Sequence, residues 1–267
     1  MHAVQVSEIG GPEVLVHREV PDPTPAEGQV VVAVEAAGVN YIDTYHRRGL
    51  YPVEPPFTLG LEHAGIVTAV GPGVDAFSVG DRVASSSAMG SYAEQVAVDA
   101  AGVVGVPDAV TPDDAAAVLL QGMTAHYLVN DTFPLGSGHR CLVHAGAGGV
   151  GLLLIQLAVA AGAEVFTTVS SESKAELAAG AGAHHVIRYD EQSFDEAVRE
   201  VAGADRPLDV VYDGVGAATF DRGLGLLRPR GLMALFGQAS GPVPPVDLQT
   251  LNANGSLFVT RPTLFHY

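Results

Sequence analysis

A chain of 267 residues, 48% hydrophobic and 16% charged, has room for one large or two medium domains and is too apolar to remain disordered. Thirteen Lys and Arg against 30 Asp and Glu leave a formal net charge of −17, which repels phosphate backbones and anionic lipid and argues against nucleic acid and membranes as partners. No apolar run is long enough to span a bilayer, the N-terminus has no basic region before an apolar stretch, and a single cysteine closes no disulfide, so a cytoplasmic setting is expected.

Up to about residue 122 the apolar runs are short and punctuated by Gly and Pro. Gln29–Val34, Ala64–Val70, Asp81–Ala84 and Tyr92–Val98 read as strands, with Gly71-Pro72-Gly73 as a turn between two of them, a pattern that predicts a compact β-barrel or sandwich. The texture changes at Thr111-Pro112-Asp113-Asp114. Thr111 suits an N-cap, Pro112 the first helical position and the two aspartates the first turn of a helix running to about Tyr127.

Strands and helices then alternate. Strands are expected over 140–144, 163–169, 185–187, 208–212, 231–236 and 256–260, and helices over 149–161, 172–181, 193–202 and 217–227. Such alternation predicts a parallel sheet covered on both faces, hence an α/β domain.

Directly after the first of these strands comes Gly146-Ala147-Gly148-Gly149-Val150-Gly151, opening an apolar helix. A GxGxxG is weak by itself in a chain with 32 glycines; the strand before it and the helix after it give it meaning. Gly146 is expected to allow the tight turn, Gly148 to let the backbone approach a pyrophosphate, and Gly151 to let the helix pack close to its strand. The helix N-terminus supplies free N–H groups to phosphates. At the end of the next strand an NAD site usually carries a carboxylate. Here the sequence is Thr167-Thr168-Val169-Ser170-Ser171, and the chain's sole lysine, Lys174, follows one turn after Ser170. Two hydroxyls and an ammonium suit a 2′-phosphate, so NADPH is expected as the cofactor, with Glu172 a counter-argument if it turns inward. Tyr189 should lie near the adenine–ribose end, and Gly214 and Phe236, at the ends of the fourth and fifth strands, should line the cleft beyond the strand C-termini. Plain core packing is the equal alternative for Phe236 and Tyr212.

Several segments together carry a resemblance: Gly38 through Tyr45, Gly49-Leu50-Tyr51-Pro52, Gln121 through Ala125, His144 through Gly151, Tyr212 through Gly216 and Gly255 through Pro262. In order along essentially the whole chain, they resemble the zinc-free NADPH:quinone oxidoreductases, the zeta-crystallin-like branch of the medium-chain dehydrogenase/reductase superfamily. The resemblance implies a GroES-like β-barrel domain over 1–122 and a doubly wound Rossmann domain over 123–262. It makes 263–267 the start of a return segment that is cut short, and it implies a homodimer. Around the nicotinamide and substrate it places Asn40, Tyr41, Tyr45 and Thr124, with Tyr51 bordering the same cleft. Tyr45 and Tyr51 would orient a quinone or donate a proton, or serve only as apolar walls. The resemblance adds cofactor contacts at Tyr41, Ile42, Asp43, Thr44, Tyr45, Tyr127, Gly149, Val150, Ser170 through Lys174 (Ser171 included) and Tyr189. Gly214 stands where a serine is common in relatives.

The zinc enzymes of that superfamily ligate their metal at positions that match Asn40 and Leu61 here, and no metal site is expected. Cys141, on a predicted strand, reads as a small buried residue rather than a nucleophile. The activity implied is NADPH-dependent reduction of quinones in a cleft between two domains. Reduction of an enone or alkenal double bond is the close rival, and a truncated, non-catalytic NADPH-binding protein is the reading from another class.

Overall fold

Short strands separated by turns make the first of two units. The computed structural model describes residues 1–267, which divide into Met1–Gln121 and Gly122–Tyr267. In chain order the first unit contains β1 (His2–Val6), β2 (Leu15–Glu19), β3 (Gln29–Gly38), α1 (Tyr41–Arg47), β4 (Phe57–Thr58), β5 (Glu62–Val70), β6 (Arg82–Ser85), β7 (Gln95–Asp99), β8 (Val103–Gly105) and most of α2 (Pro112–Tyr127). They form two antiparallel sheets, ordered β2-β1-β4 and β7-β3-β5-β6-β8. Val30, Val32, Val67, Val83, Val96 and Val98 fill the core of the larger sheet, as β-branched side chains do on a pleated surface. Gly65 sits where β3 and β5 close up, because a Cβ there would overlap the carbonyl of Ala33.

Several elements here escape the pattern reading. β4 and β8 have two and three residues, too few for an alternation to register. β1 and β2 pair with each other over five residues, and α1 is a seven-residue helix built of Tyr, Ile and Thr, residues without a strong helical preference. The strand expected from Tyr92 begins at Gln95, because Tyr92 is drawn into a different set of bonds: its N–H donates to Leu59 and its carbonyl accepts from Val4. Thr111 caps α2 as expected, its Oγ1 accepting from the Asp114 N–H at 3.1 Å and donating to the Asp114 carboxylate at 2.7 Å.

The second unit continues from the end of α2 through a π-helical turn (Leu128–Thr132) to β9 (Arg140–Val143), α3 (Gly149–Ala160), β10 (Glu164–Val169), α4 (Glu172–Gly180), β11 (His185–Arg188), α5 (Phe194–Ala202), β12 (Leu208–Asp213), α6 (Phe220–Leu224), β13 (Leu227–Leu235), α7 (Leu248–Ala253) and β14 (Phe258–Thr260). The six strands pair in parallel in the order β11-β10-β9-β12-β13-β14. The order reverses at β9, so the crevice beside its C-terminal end is the topological switch point. Two apolar layers bury the sheet: Leu154, Ile155, Val143 and Tyr212 belong to one, Phe166, Leu142, Val211 and Phe220 to the other. This is the α/β doubly wound domain expected from the alternation.

Two boundaries differ from expectation. The helix expected over 217–227 is only α6, and β13 starts at Leu227 rather than Gly231. Leu224, Leu226 and Leu227 are all buried in the same core, so apolar spacing alone could not tell the last helical residue from the first of the strand. α7 was not anticipated; Asp247 caps it by accepting from the Gln249 N–H at 2.9 Å. No helix is long and apolar enough to cross a membrane.

Candidate functional site

In the second unit the features of a dinucleotide site gather at the C-terminal ends of the parallel strands. β9 runs into Ala145, whose φ of +55° places a non-glycine residue in the left-handed region. Gly146 itself does not adopt a positive φ, so its role differs from the turn role expected. A Cβ at Gly146 would collide with Oγ1 of Thr167, which is pinned on β10 by donating to the Val143 carbonyl at 2.8 Å. A Cβ at Gly151 would overlap the Ala145 carbonyl and meet the Gly146 backbone at 2.9 Å. Gly146 therefore lets the turn close against β10, and Gly151 lets α3 sit hard against the end of β9, as expected for it. Gly148 is the N-cap of α3 without a side-chain cap, and a Cβ there would have only the Ala145 carbonyl, at 3.2 Å, within reach. Its outer face is open, and the first-turn N–H groups of Gly149, Val150 and Gly151 have no side chain to accept from them. That arrangement fits a phosphate.

At the end of β10 the two expected hydroxyls and the ammonium are together. Lys174 Nζ donates to Ser170 Oγ at 2.9 Å, and Ser171 caps α4 with its Oγ 3.2 Å from that of Ser173. Glu172 does not turn toward them as a ribose acceptor. Its carboxylate accepts from Arg188 at 2.9 Å, and Arg188 also pairs with Asp190 and Glu191, each at 2.8 Å. Those carboxylates hold the guanidinium above its ordinary pKa, Asp190 foremost. Arg188 was missed by the sequence reading. The available signal was its place in the β11 strand, whose register sets it opposite Val169, the last residue of β10. Tyr189 follows it, 53% exposed, its N–H donating to the Val169 carbonyl.

The ends of β12 and β13 interlock beside this. Asp213 is fully buried and organises its turn, accepting from the N–H of Val215 at 2.7 Å, the N–H of Gly216 at 3.0 Å and the Thr219 hydroxyl at 2.8 Å. Phe236 lies over Gly214, where an added Cβ would come within 3.0 Å of the ring. A side chain at 214 would need the ring to give by a few tenths of an ångström. Tyr212, by contrast, is a core residue whose hydroxyl donates to the Leu128 carbonyl at 3.2 Å.

His144 is buried against Phe194, with Nδ1 2.9 Å from Thr168 Oγ1. Burial holds its pKa below the ordinary value. Tyr127 is buried beneath the stacked ring of Tyr267, centroids 4.3 Å apart, and Tyr267 Oη accepts from the Thr132 hydroxyl at 3.0 Å. Burial, reinforced by Tyr267, pushes the Tyr127 phenol up to about 12. Thr124 is buried on α2. Cys141 is wholly buried and its thiol is likewise pushed up to about 12 by burial, which leaves no thiolate for chemistry.

In the first unit the residues expected near the reacting end cluster around α1. Asn40 is its N-cap, and Asp43 accepts from the Asn40 N–H at 2.9 Å and from Tyr92 Oη at 2.6 Å. Burial raises the Asp43 carboxyl above the usual range. Ile42 is half-buried, and Thr44 donates to the Tyr41 carbonyl at 2.7 Å. Tyr41 is 56% exposed and meets the buried Tyr45 edge to face at 5.4 Å; Tyr45 meets Tyr51 in the same way at 5.2 Å. The three rings make one aromatic ladder, the i,i+4 pair on the helix and the third from the loop that follows.

Zinc finds no donor set here. A zinc site needs at least three protein ligands. No three His, Cys, Asp or Glu side chains gather in this structure, Leu61 offers a hydrocarbon, and Asn40 is engaged on both amide ends, with Glu62 and Gln121. His63 faces the other side of β5 from Glu62, toward Ser91 at 3.0 Å.

Both units match families of known sequence. A model described as the alcohol dehydrogenase GroES-like domain matches residues 26–108, and one described as zinc-binding dehydrogenase matches residues 149–265. Together with the strand orders above, they define a medium-chain dehydrogenase/reductase with a GroES-like antiparallel domain and a Rossmann-type domain. A quinone oxidoreductase of Salmonella typhimurium is 45% identical over 99% of this chain and 81% of its own. A 2-haloacrylate reductase of a Burkholderia species is 43% identical over 99% of this chain and 82% of its own. A mycobacterial protein solved in complex with NADPH superimposes with a TM-score of 0.96 at 53% identity, over the whole of this chain and 83% of that one. The chain belongs to the quinone oxidoreductase family.

Proposed function

We propose that this protein reduces quinones with NADPH, without a metal ion. The observation that carries the cofactor preference is the Lys174–Ser170 contact at 2.9 Å beside Ser171, with Glu172 held by Arg188. The ends of β10 and α4 then offer a 2′-phosphate two hydroxyls and an ammonium. The glycine turn and the α3 N-terminus receive the pyrophosphate, and Tyr189, Gly214 and Phe236 border the dinucleotide. When bound, NADPH supplies the hydride. A quinone is electrophilic enough that the protein's part is to orient it and keep water away. Asn40, Tyr41, Tyr45, Tyr51 and Thr124 take that part in this reading.

The test follows NADPH oxidation with a simple benzoquinone, with NADH in parallel. A charge-assisted hydrogen bond contributes about 1.5–3 kcal/mol, so Lys174→Ala is expected to raise KM for NADPH about ten- to hundredfold and to leave NADH nearly unchanged. Equal use of the two cofactors by the unaltered protein would sink the phosphate assignment.

The likeness to a 2-haloacrylate reductase favours one second reading, reduction of an activated C=C bond. That reaction needs a proton at carbon, which gives Tyr51 or Tyr45 an acid role. An enone substrate that turns over faster than benzoquinone, with Tyr51→Phe abolishing only the enone reaction, would select it.

A further inference from the structure

Glu62 is fully buried at the start of β5, and no cation pairs with it. Its two oxygens are spent on donors: Oε2 accepts from Asn40 Nδ2 at 2.7 Å and Oε1 from the Leu120 N–H at 2.6 Å. Space for it exists only because residue 38 is glycine, since a Cβ there would overlap Glu62 Oε2 and the Ala116 carbonyl. The end of β3, the start of β5, the N-cap of α1 and the middle of α2 thus converge on one carboxylate.

We infer that Glu62 is a positioning residue that fixes which way round the Asn40 carboxamide points. An ionised carboxylate only accepts hydrogen bonds, so the end of Asn40 facing it has to be the NH2. Oδ1 is then turned to Gln121, whose Nε2 donates to it at 3.2 Å. The Asn40 backbone is clamped separately, its N–H donating to Asp43. The order Glu62–Asn40–Gln121 therefore leaves Asn40 one defined set of free donor and acceptor sites.

Protonation of Glu62 removes the reason for that order. A carboxylic acid presents an O–H, which pairs with Oδ1 of a flipped Asn40 and turns its NH2 toward Gln121, whose own amide turns in step so that its oxygen accepts. Burial raises the Glu62 carboxyl above its ordinary 4.5, opposed by the bonds from Asn40 and Leu120. The charged and titratable groups facing this cluster are few. Asp43 and His46 come from α1 and Tyr92 from the segment before β7, while α2 presents only the backbone N–H groups of Leu119 and Leu120 and the Gln121 amide. His63 faces away toward Ser91.

The catalytic consequence rests on the quinone reductase reading above; the amide geometry does not, and two measurements keep them apart. In isotope-labelled protein, the Asn40 side-chain amide signals (identified by their loss in Asn40→Ser) are followed with the Glu62 carboxyl carbon by NMR as pH is lowered. One shared midpoint above 4.5 supports the inference. An Asn40 amide that ignores the Glu62 titration overturns it, whether or not the protein turns over quinone. The second measurement is Glu62→Gln, which puts a donor where both neighbours donate. Its kcat should fall about ten- to hundredfold with NADPH affinity within about twofold, and the acid limb of the wild-type kcat–pH profile should vanish. Unchanged kcat with an unchanged acid limb overturns the positioning role. Should the variant fail to fold, the NMR titration of the wild-type protein decides alone.

Discussion

At the scale of single residues, His63 shows how a buried ionisable group with one neutral partner shapes stability. It is fully buried on β5 with Ser91 as its hydrogen-bond partner, and burial lowers its pKa from 6.5 to about 4. The folded chain then binds fewer protons than the unfolded one between those values. The contribution is complete above pH 6.5 and is lost as pH falls through about 4, for a total of about 3 kcal/mol. Asp43 and Glu62 work in the opposite direction: burial raises both, so their share is complete below the ordinary carboxyl values and lost as pH rises through the raised ones. His63→Asn is therefore expected to flatten the loss of stability between pH 6.5 and about 4, measured by urea unfolding across that range. An unchanged slope would mean that the imidazole is not what resists acid. Nothing in the sequence pattern singles out His63. Its burial could not be read, because the neighbouring Glu62 is equally buried on the opposite face.

At the scale of elements, the glycine turn is where local pattern and tertiary packing meet. Motif spacing located the turn correctly, but the structure redistributes the reasons among its glycines. The left-handed residue is Ala145, while Gly146 and Gly151 are required by the Thr167 hydroxyl and by the Ala145 carbonyl. Those neighbours lie on β10 and in the turn itself, and no spacing rule names them. Because the Gly151 obstacle is backbone, Gly151→Ala has to move the first turn of α3, at a typical overpacking cost of about 1–3 kcal/mol. The expected outcome is a lower Tm and a loss of NADPH affinity of about fivefold or more, read by scanning calorimetry and by quenching of NADPH fluorescence. Retained affinity in a folded protein would show that the α3 N-terminus is not the phosphate site. α1 makes the complementary point. Six of its seven residues have little helical preference, and Asp43 bonding back to the Asn40 N–H, with Tyr92 bonding in turn to Asp43, holds a helix that composition does not announce.

At the scale of the whole molecule, a net charge of −17 sets the response to salt. Its ion pairs draw on only a minority of the carboxylates, so self-repulsion outweighs pair screening. Shortening the Debye length from about 30 Å to about 8 Å should raise the Tm as sodium chloride goes from about 0.01 to 0.15 M; a fall would mean that the surface pairs dominate. The sequence by itself determined the two kinds of domain, the parallel α/β order of the second, the glycine-rich turn between β9 and α3, and the nearness of Ser170, Ser171 and Lys174. Each is written in residues close together in the chain, where period, caps and glycine spacing act locally. Only the tertiary structure decided that Arg188 takes Glu172 away from that cluster, that Phe236 lies over Gly214, that Tyr267 covers Tyr127, and that Glu62 holds Asn40. Those pairs lie from about 16 to 140 residues apart in the chain, and sheet register, core packing and buried hydrogen bonding, which no local pattern encodes, bring them into contact.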